Sequence, residues 1–239
     1  PRDSLIKFNN NIANPYYGGQ GLKYLSAYIG KDALSKSIRE FYAESNLKPV
    51  KTEDFQRKLK QNSSLPVDWF FKDYSDSETT IDFKINKVKK QGDSLEVQIK
   101  NLNKNSLPVS IYGLNKTKTV FKKWVGPLTD TISIRISATN IKNLALNYNG
   151  EIPEFNRRNN YKSLNGLLNK PIQFRLFQDV EDPRYNQLFF MPIFQYNLYD
   201  GIIVGMRLYN KTFLRKALDY SLEPQIGLRS KNIVGSAKI

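Results

Sequence analysis

The sequence contains no cysteine and no histidine among its 239 residues. Without cysteine there are no disulfides and no thiolate chemistry. The absence of cysteine does not identify the cellular compartment, because periplasmic and cytosolic proteins can both lack it. Without histidine the chain lacks the usual zinc ligand sets, the Ser-His-Asp triad and the Cys-His pair. Any chemistry must therefore use carboxylates, Lys, Arg, Tyr, Ser or Thr.

Long apolar runs and common catalytic motifs are also missing. No run reaches the length of about 18 apolar residues that a transmembrane helix needs. The sequence has no H-E-x-x-H, no P-loop and no G-x-S-x-G motif, and the Gly18-Gly19-Gln20-Gly21 run lacks the preceding strand of a dinucleotide site. The chain therefore carries no complete catalytic signature.

Acidic residues are few relative to basic ones. The balance of 22 Asp and Glu against 37 Lys and Arg gives a net charge of +15, which favours polyanions such as nucleic acid, phospholipid headgroups or lipopolysaccharide. The cations are spread along the whole chain without a recognised nucleic-acid motif, so we expect no specific nucleic-acid partner.

The two ends of the sequence suggest an excised segment. The chain begins at Pro1 without an initiator Met or a signal sequence, and it ends at Ile239 within an apolar alternation. We therefore expect a piece of a longer protein.

Residues 1–75 have helical periodicity. A turn containing Tyr16 and Tyr17 is expected to lead into a helix over 19–29, whose apolar residues are Leu22, Leu25, Tyr28 and Ile29. Further helices are predicted from Asp32, from Thr52 as N-cap and from Pro66 to Asp73. The segment is predicted to be a helical bundle fragment.

After about Ser75 the period changes to two, which predicts a small antiparallel sandwich over 76–150. The turn Gln91-Gly92-Asp93 lies between two alternating runs and is typical of a hairpin.

Residues 151–187 are Asn-rich and predict a linker. Its Arg157 and Arg158 could meet phosphate, but solvated linker charges are the simpler interpretation.

In residues 188–239, apolar residues alternate with small or polar residues over runs of about ten residues. This pattern is typical of the strands of outer-membrane barrels. A soluble antiparallel sheet with one wet face gives the same alternation. The predicted fold class is α+β multidomain, with a helical fragment, a sandwich and the first strands of a truncated barrel.

Three acidic residues, Asp73, Asp76 and Glu78, lie close together in the sequence. Carboxylates could hold a metal ion there, but acidic residues after a helix are usually solvated. We therefore predict no metal site in this chain.

The segment Pro15-Tyr16-Tyr17-Gly18-Gly19, followed by an amphipathic helix, resembles the region downstream of the zinc site in the aminopeptidase N family of gluzincin metallopeptidases. In that family a Tyr-x-Lys-Gly turn opens a helix that ends in Leu-Gly or Ile-Gly. Further matches follow in the family's order: Tyr28-Ile29-Gly30, Phe41-Tyr42, Thr52-Glu53-Asp54-Phe55 and Asp68-Trp69-Phe70-Phe71. The resemblance covers Asn14 to Tyr74, and the β-rich part after it agrees with the family's order of domains.

The resemblance implies that Tyr16 stabilises the oxyanion of the tetrahedral intermediate in peptide hydrolysis. A phenol donates a hydrogen bond without carrying charge, which suits a developing alkoxide. The family's lysine is Gly18 here, and the adjacent Tyr17 competes for the same role. The zinc-binding motif is expected upstream of Pro1, so zinc belongs to the full-length protein, and this fragment alone is expected to bind no cofactor and to be inactive.

The whole arrangement also resembles bacterial outer-membrane proteins that carry a peptidase-like domain ahead of a β-barrel. This resemblance implies an outer-membrane location with the soluble part in the periplasm, and a peptide substrate. The basic charge could then face anionic lipid or lipopolysaccharide. The alternative function is a non-catalytic surface or assembly module that binds a protein partner.

Overall fold

The computed structural model describes residues 2–46, 48–77, 79–166, 168–177, 181–212 and 216–239, and only the backbone of residues 2–14. The described chain is a mixed α+β protein that divides into two compact units, Pro1–Leu167 and Leu168–Ile239. We call these the first and the second unit. The predicted division into 1–75, 76–150, 151–187 and 188–239 stays a prediction.

Helices occupy the N-terminal part of the first unit. They are α1 (Arg2–Ile29), α2 (Lys31–Glu44), α3 (Thr52–Asn62) and a short π-helix (Phe70–Ser75). Gly30, at φ 95°, separates α1 from α2 in the left-handed region that favours glycine. At the start of α3 the backbone N–H of Lys51 donates to Asp54 Oδ2 at 3.0 Å, so the N-cap lies one residue before the predicted Thr52. No helix in the described residues is long and apolar enough to cross a membrane.

The rest of the first unit forms two antiparallel sheets, with strand orders β1-β2-β5 and β4-β3-β6-β7. The strands are β1 (Phe83–Gln91), β2 (Ser94–Asn101), β3 (Leu107–Asn115), β4 (Lys118–Leu128), β5 (Thr131–Ser137), β6 (Asn143–Leu146) and β7 (Tyr161–Ser163). The first two strands make the hairpin that the alternation predicts, with Gly92 at φ 56° in its turn.

One hydrophobic core joins the helices to both sheets of the first unit. Leu25 of α1 and Trp69 before the π-helix belong to the same cluster as Phe83 and Ile99 of the first sheet and Leu144 of the second. These side chains are at most 3% exposed. Because the helices share this core with both sheets, the apolar faces of the helices are buried only when the sheets are in place.

The predicted linker over 151–187 is partly structured. It contains β7 and, in the second unit, β8 (Ile172–Leu176), and it buries Glu154 and Asn160 in the first unit. Glu154 Oε1 accepts the Phe83 N–H at 2.7 Å, and its Oε2 accepts Nδ2 of Asn160 at 2.6 Å and of Asn147 at 3.2 Å. Asn160 of this segment and Asn147 before it therefore satisfy the buried Glu154 carboxylate, which a composition-based linker prediction does not anticipate.

The second unit is a five-stranded sheet with strand order β12-β11-β10-β9-β8. Its further strands are β9 (Asn186–Asn197), β10 (Gly201–Tyr209), β11 (Ser221–Gly227) and β12 (Ile233–Lys238). Neighbours are antiparallel except β8 and β9, which run parallel. Strands β8 and β12 lie at the edges, so the described strands form an open sheet and no closed barrel.

The two faces of this sheet differ in polarity. Phe194 pairs with Val204, and Leu222 pairs with both Leu208 and Ala237, so one parity forms an apolar row on each strand. The exposed members of this apolar face are Ile172, Phe174, Leu176, Phe194, Tyr196, Ile202, Met206, Leu222, Ile226 and Ile233. The opposite parity, which we call the polar face, carries Gln195, Arg207, Glu223, Ser236 and Lys238 beside the buried Phe189, Ile193 and Ile203.

Glu154 makes the stability of the first unit depend on pH. Burial raises the pKa of its carboxyl from the usual 4.5 to about 7, with a smaller contribution from Asp82, although three N–H donors favour the carboxylate. The folded state therefore holds this proton more tightly than the unfolded chain, and the free energy of unfolding should fall as the pH rises from 4.5 to about 7. Urea unfolding across this range measures the fall.

Glu154→Gln should remove this contribution and flatten the pH profile relative to wild type. Glu96→Gln on β2 is the control, since that side chain is only half-buried. The lowered pKa values of Asp54 and Asp68 act in the opposite direction at more acidic pH, but they act equally in both variants. A Glu154→Gln profile as steep as that of wild type would contradict the assignment.

Candidate functional site

The candidate site lies on α1, and its local structure differs from the prediction. The predicted turn at Tyr16 and Tyr17 is wrong, because α1 continues through these residues and through Pro15, Gly18 and Gly19. Proline and glycine each cost about 1 to 3 kcal/mol inside a helix. We infer that packing of the following helical turns offsets this local cost.

The packing partner at this position is Tyr74 of the π-helix. The rings of Tyr17 and Tyr74 stack with centroids 4.6 Å apart and planes 2° apart. Tyr74 donates its O–H to the Tyr17 carbonyl at 2.8 Å, and Tyr17 donates its O–H to the Tyr74 carbonyl at 3.2 Å. Burial raises the pKa of both phenols, so both remain protonated donors at neutral pH.

Gly21 allows Tyr74 to lie this close to the helix. A Cβ atom at Gly21 would overlap the Tyr74 ring, whereas a Cβ at Gly18 or Gly19 would meet no atom within 4 Å. Glycine is therefore required at Gly21 by close approach, not by backbone conformation.

Tyr24 anchors the same helix in the core. Its side chain is fully buried, its hydroxyl donates to the Pro108 carbonyl, and its ring lies 4.6 Å from Trp69 and 6.1 Å from Trp124 between centroids. Burial raises its pKa well above the usual range, and the nearby Glu154 adds to this shift. Tyr24 thus links α1 to the strands of the second sheet.

The sequence prediction missed Tyr24 and Tyr74. It placed Leu22 on the buried face, but Leu22 is 38% exposed, whereas Tyr24 is fully buried. The signal that could have found the buried face is the spacing of Tyr17, Gly21, Tyr24 and Tyr28, since positions four, three and four residues apart share one side of a helix.

Tyr16 faces away from this contact. Its side chain is 69% exposed, and its hydroxyl makes no hydrogen bond with any residue that the structure describes. The fold therefore fixes the helix next to Tyr16 without engaging the Tyr16 phenol. Its catalytic role stays a prediction.

The described residues do not form a metal site. They contain no group of three or more acidic, His or Cys side chains that could hold a metal ion. Of the three acidic residues considered above, Asp73 accepts the Ser106 N–H at 2.9 Å, and Glu78 lies outside the described residues. The described part of this chain therefore does not fit a zinc ion.

The Gly21 contact predicts opposite effects for two glycine substitutions on α1. Gly21→Ala should lower the free energy of unfolding by about 1 to 3 kcal/mol, because the added methyl displaces the Tyr74 ring. Gly19→Ala is the matched control and should leave stability unchanged or raise it by up to about 1 kcal/mol through helix propensity. Urea unfolding measures both, and equal effects would argue against the contact.

Comparison with known proteins gives a distant likeness in fold. No protein-family model matches the sequence, and none of the curated proteins matches it. Among solved structures, the chain is similar to Legionella pneumophila aminopeptidase A in complex with aspartic acid, with 15% identity and a TM-score of 0.45. The match covers 57% of this chain and only 17% of that protein's chain, and at this level it supports no statement about activity.

Proposed function

We propose that this chain is part of a membrane-tethered zinc aminopeptidase-like protein in which Tyr16 donates a hydrogen bond to the oxyanion formed during peptide hydrolysis. The observation that carries the proposal is the different environment of the two adjacent tyrosines. Tyr17 is held by Tyr74, whereas the Tyr16 phenol is exposed and has no hydrogen-bond partner among the described residues.

The rigid setting of α1 supports this role. An oxyanion donor is effective when it is positioned before the reaction, because no energy is then needed to orient it as charge develops. Tyr17, Gly21 and Tyr24 all fix the helix on the side that faces Tyr74 and the core. The described residues supply no zinc ligand set, so we assign zinc to other parts of the full-length protein.

The Tyr16 assignment predicts a difference between two conservative variants of the full-length protein. Tyr16→Phe removes only the donor and should lower kcat by about 10²- to 10³-fold at unchanged zinc content. Tyr17→Phe keeps the stacked ring and should leave kcat within a few-fold of wild type. Steady-state peptide hydrolysis and zinc analysis are the measurements. Normal turnover of Tyr16→Phe, or an equal loss in Tyr17→Phe, would remove Tyr16 from the mechanism.

The proposed tether is the apolar face of the second unit. Phe194, Tyr196, Ile202 and Ile233 are each more than half exposed on it. A monomeric soluble protein rarely leaves so large a patch uncovered, and the chemistry of this face matches lipid. We propose that the face contacts the bacterial outer membrane, with the peptidase-like part in the periplasm and the basic surface near anionic lipid or lipopolysaccharide.

Two adjacent residues on opposite faces test the tether. Phe194 and Gln195 are both exposed, so a lysine at either position adds the same charge. In the full-length protein Phe194→Lys should reduce recovery in the membrane fraction sharply, because a lipid-facing Lys costs about 2 to 4 kcal/mol at mid-membrane depth. Gln195→Lys should have little effect. Equal recovery of both variants, or wild-type protein that is soluble without detergent, would contradict the tether.

A further inference from the structure

A pocket of about 480 Å³ lies within the second unit at one end of the sheet. Its lining includes side chains of the polar face and of the segments that follow β10 and precede β11. They are Met191, Arg207, Tyr209, Lys211, Asp219, Tyr220, Ser221, Lys238 and Ile239. A volume of this size suits a small organic molecule.

The most constrained cation in the pocket is Arg207. Its Nε donates to Glu223 Oε1 at 2.5 Å, and Glu223, which is only 9% exposed, also accepts from Ser236 Oγ at 3.2 Å. This contact holds the guanidinium through Nε, while its two terminal nitrogens make no hydrogen bond with the described residues. A guanidinium fixed in this way presents a fork of donors that matches the two oxygens of a carboxylate or phosphate.

The remaining charges of the pocket also favour an anion. Lys211 and Lys238 make no ion pair with any described residue, and Asp219 is the only acidic side chain among the lining residues. Both lysines are exposed, so they lie where they can contact an incoming anion. With Arg207 partly neutralised by Glu223, the pocket keeps an excess of positive charge.

The walls of the pocket are apolar and aromatic. The Tyr209 ring packs on Phe189 with centroids 5.6 Å apart. Tyr220 is tied to the end of β10, because its N–H donates to Asn210 Oδ1 at 2.8 Å. Met191 adds an apolar side chain next to Arg207, its cross-strand partner. The packed Tyr209 ring, the Tyr220 ring and a thioether suit a planar apolar group better than a free inorganic ion.

We propose that this pocket binds a small organic anion, with its carboxylate or phosphate on the Arg207 guanidinium and the lysines, and its planar apolar body between Tyr209 and Tyr220. The site is independent of peptide hydrolysis and of the tether. It uses the polar face of the sheet, whereas the proposed lipid contact uses the apolar face.

Titration calorimetry at low ionic strength with benzoate and with phenyl phosphate tests this site in the full-length protein. At least one probe should bind and neutral benzyl alcohol should not. The probe that binds more tightly identifies carboxylates or phosphate monoesters as the ligand class. Arg207→Gln should weaken binding by about tenfold or more, and Lys238→Gln by a few-fold, since contacts to a charged group are lost.

Lys123→Gln on β4 is the control for charge and should bind as wild type, because that lysine is not among the residues that line the pocket. Arg207→Gln leaves buried Glu223 without its cation and could destabilise the sheet. Lys238→Gln, at an exposed lysine without an ion pair, therefore keeps the test independent of folding. The proposal is overturned if neither probe binds, if benzyl alcohol binds equally well, or if Lys238→Gln binds as wild type in a folded chain.

Discussion

The contact between Tyr74 and one side of α1 is the constraint on which the candidate site depends. Tyr74 meets α1 at three successive positions, stacking on Tyr17, covering Gly21 and lying edge-on to Tyr24 with ring centroids 6.2 Å apart. Contacts at three positions determine the rotation of the helix about its axis. Because consecutive helical residues are about 100° apart, fixing Tyr17 also fixes the direction of Tyr16.

The structure of the second unit depends on a different constraint, which is that side chains along a β-strand alternate between its two faces. Every second side chain faces the same way, so one sequence pattern produces both an apolar face and a face that carries Arg207 and Lys238. The pairing of Leu222 with Leu208 and Ala237 keeps the apolar rows aligned across strands. The same register places Arg207 beside the buried Glu223 on the other face. The proposed lipid contact and the proposed anion site therefore lie on opposite faces of one sheet.

Sequence periodicity correctly predicted the helices and strands whose structure is determined by their own pattern of apolar side chains. The β1–β2 hairpin and the strands after Leu188 follow from alternation, and helices α2 and α3 follow from their apolar spacing. The sequence predictions were wrong where contacts between residues distant in the sequence determine the local structure. The helix through Pro15 is stabilised by Tyr74, which lies 57 residues from Tyr17 in the sequence. Local propensity contains no information about that partner.

The buried contacts within 151–187 were not predicted for a related reason. Asparagine-rich composition is typical of solvated linkers, but Asn160 and Asn147 donate to the buried Glu154 carboxylate, and that pairing is visible only once the fold is known. The parallel pairing of β8 with β9 was likewise missed, because the alternation of Ile172, Phe174 and Leu176 over five residues does not show which strand they pair with or in which direction. The role of Tyr16 rests on the order of the sequence matches and on its exposed phenol.

The most direct test of the central claim is the zinc content of the purified full-length protein together with its release of N-terminal residues from peptides. A membrane-tethered aminopeptidase should contain about one zinc per chain and should lose hydrolysis on chelation and regain it with zinc. Full-length protein without zinc and without peptide hydrolysis would contradict the claim and favour a non-catalytic module that binds a protein partner.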